Sequence, residues 1–290
     1  LAEYLARENY SDAFAEGFVY PAFAGICTCS RESVKSYPAR VILEYLNSNL
    51  LLSSVQRVVD GTQEVVERLA ANVRKRQLGV DVTGITRASN HAIVHVNDNE
   101  FPFDHVIIAT QANQALDLLN ESASKERAVL ESFKYESSRV VVHSDPALAP
   151  ASGPKHWAPV NFLMANKQST PMATIWLNAI QNIGSDEPIF QTWNPIVEPR
   201  AEHVIGESTF ERPVVNEESL AALSKLNALH DQPDRRVWFV GSYASHGIPL
   251  LESATTSAMR VAAHLGCQPS WQSDSSPIML DGLSVSRASG

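Results

Sequence analysis

The sequence predicts a mixed α/β fold that contains two kinds of sheet. Two continuous apolar strands, at residues 103–110 and 236–241, each lead towards a helix, and such runs are typical of strands buried on both faces of an α/β sheet. Between them, residues 133–235 hold shorter strand-like runs separated by turns rich in Pro, Ser and Asn, which favours an antiparallel sheet. A length of 290 residues allows one large domain or two smaller ones.

The first 54 residues are predicted to be helical. Apolar residues recur at three- and four-residue spacing over residues 1–20, which predicts a helix that ends at Pro21. A loop over residues 27–37 then precedes a second helix, which begins at Pro38 and ends near residue 52. Because the first residue already lies in helical register without a preceding cap, we expect the chain to be a fragment.

An amphipathic helix follows this region. Residues 55–59 are predicted to form a short apolar strand, and a tight turn at Asp60 and Gly61 leads into a helix over residues 63–73. The apolar residues of this helix share one face, which we expect to be buried. They are Val65, Val66, Leu69 and Val73.

The next segment is predicted to end at a ligand-binding edge. Strands are expected at residues 80–85, 91–96 and 103–110, and a helix at residues 115–119. The last of these strands ends in Ala109 and Thr110, close to the N-terminus of the helix. Since ligands of α/β folds bind at the carboxyl edge of the sheet, we expect these two residues to lie at such an edge.

A second strand and helix near the C-terminus repeat this arrangement. The strand at residues 236–241 is followed by a loop over residues 242–249 and a helix over residues 250–265. Small residues on one helix face are expected to allow close packing on a sheet: Ala254, Ser257, Ala258, Ala262 and Ala263. The loop and its two ends present a group of candidate binding residues, Gly241, Ser242, Leu250, Leu251 and Glu252.

The central segment is predicted to form an antiparallel sheet. Its strands are expected at residues 139–143, 159–164, 172–178 and 189–193, with a helix at residues 217–229. The Ser-rich tail at residues 267–290 is expected to be disordered. His143 and His246 are the best candidates for acid–base catalysis, but neither lies in a catalytic signature, and a structural role is the alternative for each. The catalytic residues therefore stay unassigned.

Charge and cysteine content exclude several functions. With 32 acidic and 23 basic residues the formal charge is −9, which argues against nucleic acid or an anionic membrane as a partner. The sequence has no apolar run long enough to predict a membrane span. Three cysteines form no disulfide framework, and Cys27 and Cys29 lack the second pair that a zinc site needs. We therefore expect a cytoplasmic protein without a metal site.

Two segments in the first half of the chain match motifs of a known superfamily. The turn and helix from Asp60 and Gly61 to Leu69 match a motif with two glycines and a leucine, in which Asp60 replaces the first glycine. Val82 matches a valine whose backbone contacts adenine in that superfamily.

Two further segments extend the match. The strand Asp104–Thr110 matches a D-x-V-I-x-A-T-H motif, with Gln111 in place of the histidine. The last motif is matched by Gly241, Gly247, Glu252 and Ser257, with Ala258 in place of a glycine. Together with the N-terminal stretch, these segments resemble the flavin-containing amine oxidase and protoporphyrinogen oxidase superfamily over about residues 1–266. The resemblance is greatest to its branch of uncharacterised FAD/NAD-binding oxidoreductases.

The resemblance implies an FAD-dependent oxidoreductase that transfers a hydride from a C–N or C–C bond of a small-molecule substrate to flavin N5. It implies a Rossmann-like FAD-binding domain at residues 55–119 and 236–266, and a substrate domain with helices at residues 1–54 and an antiparallel sheet at residues 120–235. The cofactor contacts that it implies are Gly61, Val82, Ala109, Thr110, Gly241, Ser242, Leu250, Leu251 and Glu252. FAD would be bound noncovalently, because the segment that starts at Gly241 has no cysteine for attachment.

One part of the superfamily pattern is missing. Members open with a G-x-G-x-x-G unit that holds the ADP part of FAD, whereas no two glycines of this chain are separated by one residue. We therefore expect a fragment that does not retain FAD by itself. The alternative is a truncated, cofactor-free descendant that acts as a non-redox enzyme or a small-molecule binding module, which the replacements at Asp60 and Gln111 favour.

Overall fold

The computed structural model describes residues 1–48, 58–59, 61–120, 123–164 and 170–267. These residues form two compact units. Unit 1 comprises Leu1–Asp81 and Lys134–Ser219, and unit 2 comprises Val82–Phe133 and the chain from Leu220 onwards. The mixed α/β class is confirmed. The domain boundaries at residues 54, 119, 235 and 266 remain a prediction, and the tail from residue 268 lies outside the described residues.

The helices are short. In chain order they are α1 (Ala2–Arg7), α2 (Asp12–Phe14), α3 (Tyr20–Cys27), α4 (Arg31–Ser36), α5 (Ala39–Asn47), α6 (Gly61–Ala70), α7 (Ala112–Leu118), α8 (Ser124–Leu130), α9 (Leu177–Ile180), α10 (Glu217–His230) and α11 (Leu251–His264). A π-helical segment, Ala15–Val19, joins α2 to α3. The two longest helices, α10 and α11, are both close to their predicted bounds.

The strands form three sheets. They are β1 (Val82–Arg87), β2 (Ala92–Val96), β3 (Asn99–Phe103), β4 (Val106–Ile108), β5 (Tyr135–His143), β6 (Val160–Leu163), β7 (Met172–Trp176), β8 (Phe190–Trp193), β9 (Val204–Pro213) and β10 (Val237–Phe239). The described strands β1 to β3 form an antiparallel meander, β4 and β10 form a parallel pair, and the other five form one sheet.

Unit 1 contains the five-stranded sheet, in the order β6-β7-β8-β5-β9. All its neighbouring strands are antiparallel, as predicted for this segment. Strand β9 was not predicted, because eight of its ten residues are exposed and its sequence has no alternation of apolar and polar residues. The buried side chains of this sheet are polar as well as apolar: Thr174, Thr192 and His143 are completely buried, as is Phe190.

The predicted N-terminal helix is interrupted, and its expected end at Pro21 is wrong. Helix α1 stops at Arg7, Asn9 adopts a positive φ of 56°, and the Ser11 hydroxyl caps α2. Pro21 lies in the first turn of α3, where its missing N–H and fixed φ are compatible with a helix. The loop predicted at residues 27–37 is also partly wrong, since α4 lies within it behind an N-cap at Ser30.

The apolar stripe predicted to be buried on α6 is exposed. Leu69 is 76% exposed and Val66 is 60% exposed, and Val73 lies beyond the helix and is also exposed. The amphipathic pattern shows that one face is apolar, but it does not supply a neighbour, and no residue of α6 is buried in the described part of the chain. Most of the strand predicted at residues 55–59, and Asp60 of the predicted turn, lie outside the described residues.

In unit 2 the long strand predicted at residues 103–110 is divided. Residues up to Phe103 belong to β3, which pairs with β2 across a turn at Asn97 and Asp98. Only Val106–Ile108 form β4, and Ile107 is 48% exposed, so this strand is not buried on both faces. An apolar run alone does not show where one strand ends and the next begins.

Helix α11 packs on β10 through a face different from the predicted one. Ala258 and Ala263 are exposed, whereas Ser257 is buried as expected. The buried residues of this helix are Ser253, Ser257, Arg260 and Val261. Val261 packs against Trp238 and Val240, and these three residues form a small apolar core.

Candidate functional site

The predicted binding residues at the ends of β4 and β10 share one edge of the parallel pair. The strands run side by side from the bond that Val106 N–H donates to the Arg236 carbonyl (2.8 Å) to the bond that Val240 N–H donates to the Ile108 carbonyl (3.0 Å). The chain therefore leaves both strands at the same edge. A Cβ atom on Gly241 would lie 3.5 Å from the Thr110 carbonyl oxygen, so the structure brings these two predicted residues together. Ala109, beside them, is exposed.

Gly241 has a conformation that requires glycine. Its φ is 153°, and a Cβ atom would lie 2.9 Å from the ring of Tyr243. That ring is 5% exposed and packs edge-on against Phe133 at 5.0 Å between ring centroids, so it has little room to move. The backbone can turn sharply at the end of β10 only because this residue has no side chain.

We expect Gly241→Ala to lower the free energy of unfolding by about 1–3 kcal/mol, because it combines an unfavourable φ with a clash. The matched control is Gly84→Ala in the same unit, where φ is ordinary and the added Cβ would lie 3.7 Å from His95, at normal contact distance. Urea denaturation of both variants measures the difference. Equal losses for the two variants would contradict the strain at Gly241.

The N-terminus of α11 is the second element of this site. Gly241 continues into a 3₁₀ turn at Ser242–Ala244, and the chain enters the 14-residue helix α11 at Leu250. Leu250 is the N-cap and provides no side-chain hydrogen bond, and Leu251 is 81% exposed in the first turn. The first N–H groups and the positive end of the helix dipole are therefore available to an electron-rich group, although Glu252 also lies in this turn.

The other two predicted cofactor residues belong to other secondary-structure elements. Val82 begins β1, pairs with Val96 in the meander of unit 2, and is 39% exposed. Gly61 begins α6 in unit 1 with a φ of 79°. The candidate edge is thus built from Ala109, Thr110, Gly241, Ser242, Leu250, Leu251 and Glu252.

His143 has the surroundings of a structural residue. Its side chain is completely buried, its Nε2 lies 2.8 Å from the Thr192 hydroxyl, and its Nδ1 accepts a hydrogen bond from the Asp145 N–H at 3.1 Å. Burial lowers the pKa of His143, so the imidazole stays neutral within the sheet. His246 lies in the loop before α11, where it is half-buried.

A cavity of about 500 Å³ lies at the opposite end of β10 from the candidate edge. Its lining comes from the ends of α10 and α11, from the residue before β4 and from the start of β10 with the residues before it, and includes His105, Arg236, Trp238 and His264. Among the described residues, including those that line this cavity, no group of three or more His, Cys, Asp or Glu could hold a metal ion. Among the described helices, none has the length and apolar character to cross a membrane.

The chain matches one protein family and is similar in fold to solved structures. The model of a family described as flavin containing amine oxidoreductase matches residues 2–159. The chain is similar to the solved structure of a CLA-producing fatty acid isomerase from P. acnes (15% identity, TM-score 0.65), covering 91% of this chain and 66% of that one. It is also similar to wild-type putrescine oxidase bound to putrescine (14% identity, TM-score 0.50), covering 72% of this chain and 53% of that one. No curated protein matches.

Proposed function

The chain belongs to the family of flavin containing amine oxidoreductases, and from this premise we propose that it acts as an FAD-dependent oxidoreductase. The observation that carries the proposal is the shared edge at which Thr110 and Gly241 meet, followed by the uncapped N-terminus of α11. The chain spans about two thirds of the length of the fatty acid isomerase and about half of that of putrescine oxidase. The activity and substrate of the whole protein are therefore part of the proposal.

The residues of this edge fit the ring of a flavin. The backbone N–H groups of the first turn of α11 are donors suited to the electron-rich carbonyl side of the ring, and the helix dipole favours negative charge there. Ala109, Thr110, Gly241 and Ser242 would lie along the ring. When bound, FAD would supply the hydride acceptor by which a C–N or C–C single bond of a small-molecule substrate is oxidised to a double bond, the hydride coming from a C–H bond of that unit.

Binding would be noncovalent and weak for residues 1–290 alone. The segment that starts at Gly241 has no cysteine for attachment, and the sequence has no G-x-G-x-x-G loop for the pyrophosphate. Because the residues of the candidate edge would contact the ring rather than the ADP part, we expect riboflavin and FAD to bind with similar affinity and ADP not to bind. Titration of the purified chain with each compound, followed by flavin fluorescence and calorimetry, tests this. Absence of affinity for both flavins would overturn the proposal.

Leu251→Asp is expected to weaken riboflavin binding by about tenfold or more. The side chain is 81% exposed at the start of α11, where a carboxylate is compatible with the helix but occupies its positive end and competes with the flavin carbonyl. Leu78→Asp is the matched control, because Leu78 is 90% exposed and belongs to the other unit. The site is assigned wrongly if both variants bind riboflavin as the unmodified chain does.

The alternative is a cofactor-free protein that binds a small molecule, and one observation favours it. Gln111, which stands where the superfamily has a histidine, is the N-cap of α7 and forms a capping box with Gln114. This residue therefore has a local structural role at the edge of the sheet. The flavin titration separates the two functions, since the alternative predicts no flavin affinity.

A further inference from the structure

The loop that joins β10 to α11 is tied to the helix at both ends by serine hydroxyl groups. It runs from Gly241 to Leu250 and carries three of the predicted cofactor residues. The Ser257 hydroxyl accepts a hydrogen bond from the N–H of Gly241, the first residue of the loop. Near the end of the loop, the Ser253 hydroxyl donates a hydrogen bond to the Ile248 carbonyl (2.8 Å). The two serines lie one turn apart on the buried face of α11.

Ser257 supplies the hydrogen-bond acceptor that the sheet does not provide. The last ladder bond of β10 is the one from Val240 N–H to the Ile108 carbonyl. The next N–H, that of Gly241, donates to the Ser257 Oγ at 2.9 Å. The hydroxyl proton of Ser257 is directed to the Ala254 carbonyl (2.7 Å) or to the Gly241 carbonyl (3.0 Å), so the oxygen stays oriented towards Gly241.

The Ser257 hydroxyl contributes a hydrogen bond to the backbone as well as packing. Ser257 is 3% exposed, and alanine would fill its place in the helix with a better intrinsic propensity. Without the hydroxyl, the Gly241 N–H would lose its acceptor, and Gly241 is also the residue whose φ of 153° is unfavourable. The bond therefore fixes the end of β10 relative to the helix whose N-terminus forms the other side of the candidate site.

We propose that Ser257 is a positioning residue for flavin binding: it holds Gly241 and the loop in the arrangement that lets the edge of β4 and β10 and the N-terminus of α11 act together on the ring. This inference rests on the proposed function, because it assigns a role to a residue that would not itself touch the flavin. Ser253 supports the other end of the same loop.

The test compares Ser257→Ala with Ser138→Ala. Ser138 is 2% exposed in unit 1, and its hydroxyl donates to the Thr28 carbonyl at 3.1 Å, so the control also loses one buried hydroxyl bonded to the backbone. Two measurements are made on each purified chain: amide hydrogen exchange of the loop, and the dissociation constant for riboflavin. Ser257→Thr, which keeps the hydroxyl, serves as the conservative variant.

Ser257→Ala is expected to accelerate exchange in the loop and to raise the riboflavin dissociation constant by about tenfold. Ser138→Ala should change neither, and Ser257→Thr should bind riboflavin more tightly than Ser257→Ala. The role is overturned if exchange in the loop is unchanged in Ser257→Ala, or if exchange rises while riboflavin affinity does not. An unmodified chain that binds no flavin would instead overturn the proposed function, and with it this role, whatever the exchange rates are.

Discussion

Glu126→Gln is expected to lower the free energy of unfolding by about 3–5 kcal/mol, because it leaves a buried guanidinium without its counter-charge. The Glu126 carboxylate lies on α8 and is 4% exposed. It accepts a hydrogen bond from Arg235 Nη1 at 2.9 Å and another from Arg87. Arg235 is 7% exposed, so water cannot hydrate its guanidinium once the carboxylate is lost. The Arg87 side chain is 38% exposed and can be hydrated.

The matched control is Glu64→Gln on α6. Glu64 pairs with Arg68 at 2.7 Å, but their side chains are 44% and 74% exposed, so the same substitution should cost about 0.5 kcal/mol or less. Urea denaturation followed by circular dichroism gives both values. A loss below about 1 kcal/mol for Glu126→Gln would contradict the importance of burial for this pair. The double variant Glu126→Leu, Arg235→Met removes both charges and should recover part of the stability lost in Glu126→Gln.

The stability of the chain is expected to fall in mild acid because His230 is buried as a neutral imidazole. Its side chain is 3% exposed, and its Nε2 accepts a hydrogen bond from the Phe239 N–H at 3.2 Å. Burial is the main cause that lowers the pKa of His230 to about 3, and the neighbouring side chains, Arg235 first among them, lower it further. In the unfolded chain the pKa returns to about 6.5.

The sign of the effect follows from proton uptake. At a pH between these two pKa values the unfolded chain binds a proton at His230 that the folded chain does not bind, so acid favours unfolding. The contribution of neutral His230 to the free energy of unfolding is complete above about pH 6.5. It declines as the pH falls towards about 3, by at most about 1.4 kcal/mol per pH unit. Between about pH 7 and pH 4 we expect a loss of about 2–3 kcal/mol from this residue.

His230→Gln isolates this contribution, because glutamine can accept the same backbone hydrogen bond and does not titrate. The measurement is the difference in unfolding free energy between the variant and the unmodified chain at several pH values. The variant should be the less sensitive of the two to acid over this range. Parallel stability curves would show that His230 does not cause the loss. The buried Asp145 acts at lower pH, because its hydrogen bonds to Arg200 hold its pKa well below the usual range.

Local sequence patterns predicted the parts of the fold in which one segment determines its own structure. The helix α11 and the strands β6 to β8 were expected from periodicity and turn residues near their observed bounds, whereas β5 begins at Tyr135 rather than at the predicted Arg139. Strand β9 was missed because its ordering comes from pairing with β5 along its whole length, and its own side chains are mostly exposed. The buried face of α6 was predicted wrongly because burial depends on a neighbour that a helical pattern does not contain.

In the candidate site, too, the features that depend on distant residues could not be predicted from local patterns. Its position at the ends of β4 and β10 was expected, since each strand and the helix near it can be read locally. The bonds that stabilise its surroundings join distant residues, such as Glu126 to Arg235, and no spacing rule predicts such a pair. Ser257 was singled out only as a small motif residue, because its bond to Gly241 depends on how α11 returns to the strand.

The parallel pairing of β4 with β10 has a consequence for the order of folding. Val106 pairs with Val237, and the whole second segment of unit 1, Lys134–Ser219, lies between them in the chain. Closing such a long loop is costly in entropy, whereas β1 to β3 pair through short turns and can form early. During synthesis the candidate edge cannot assemble until β10 has left the ribosome. The residues that would hold the flavin ring are therefore among the last to come together.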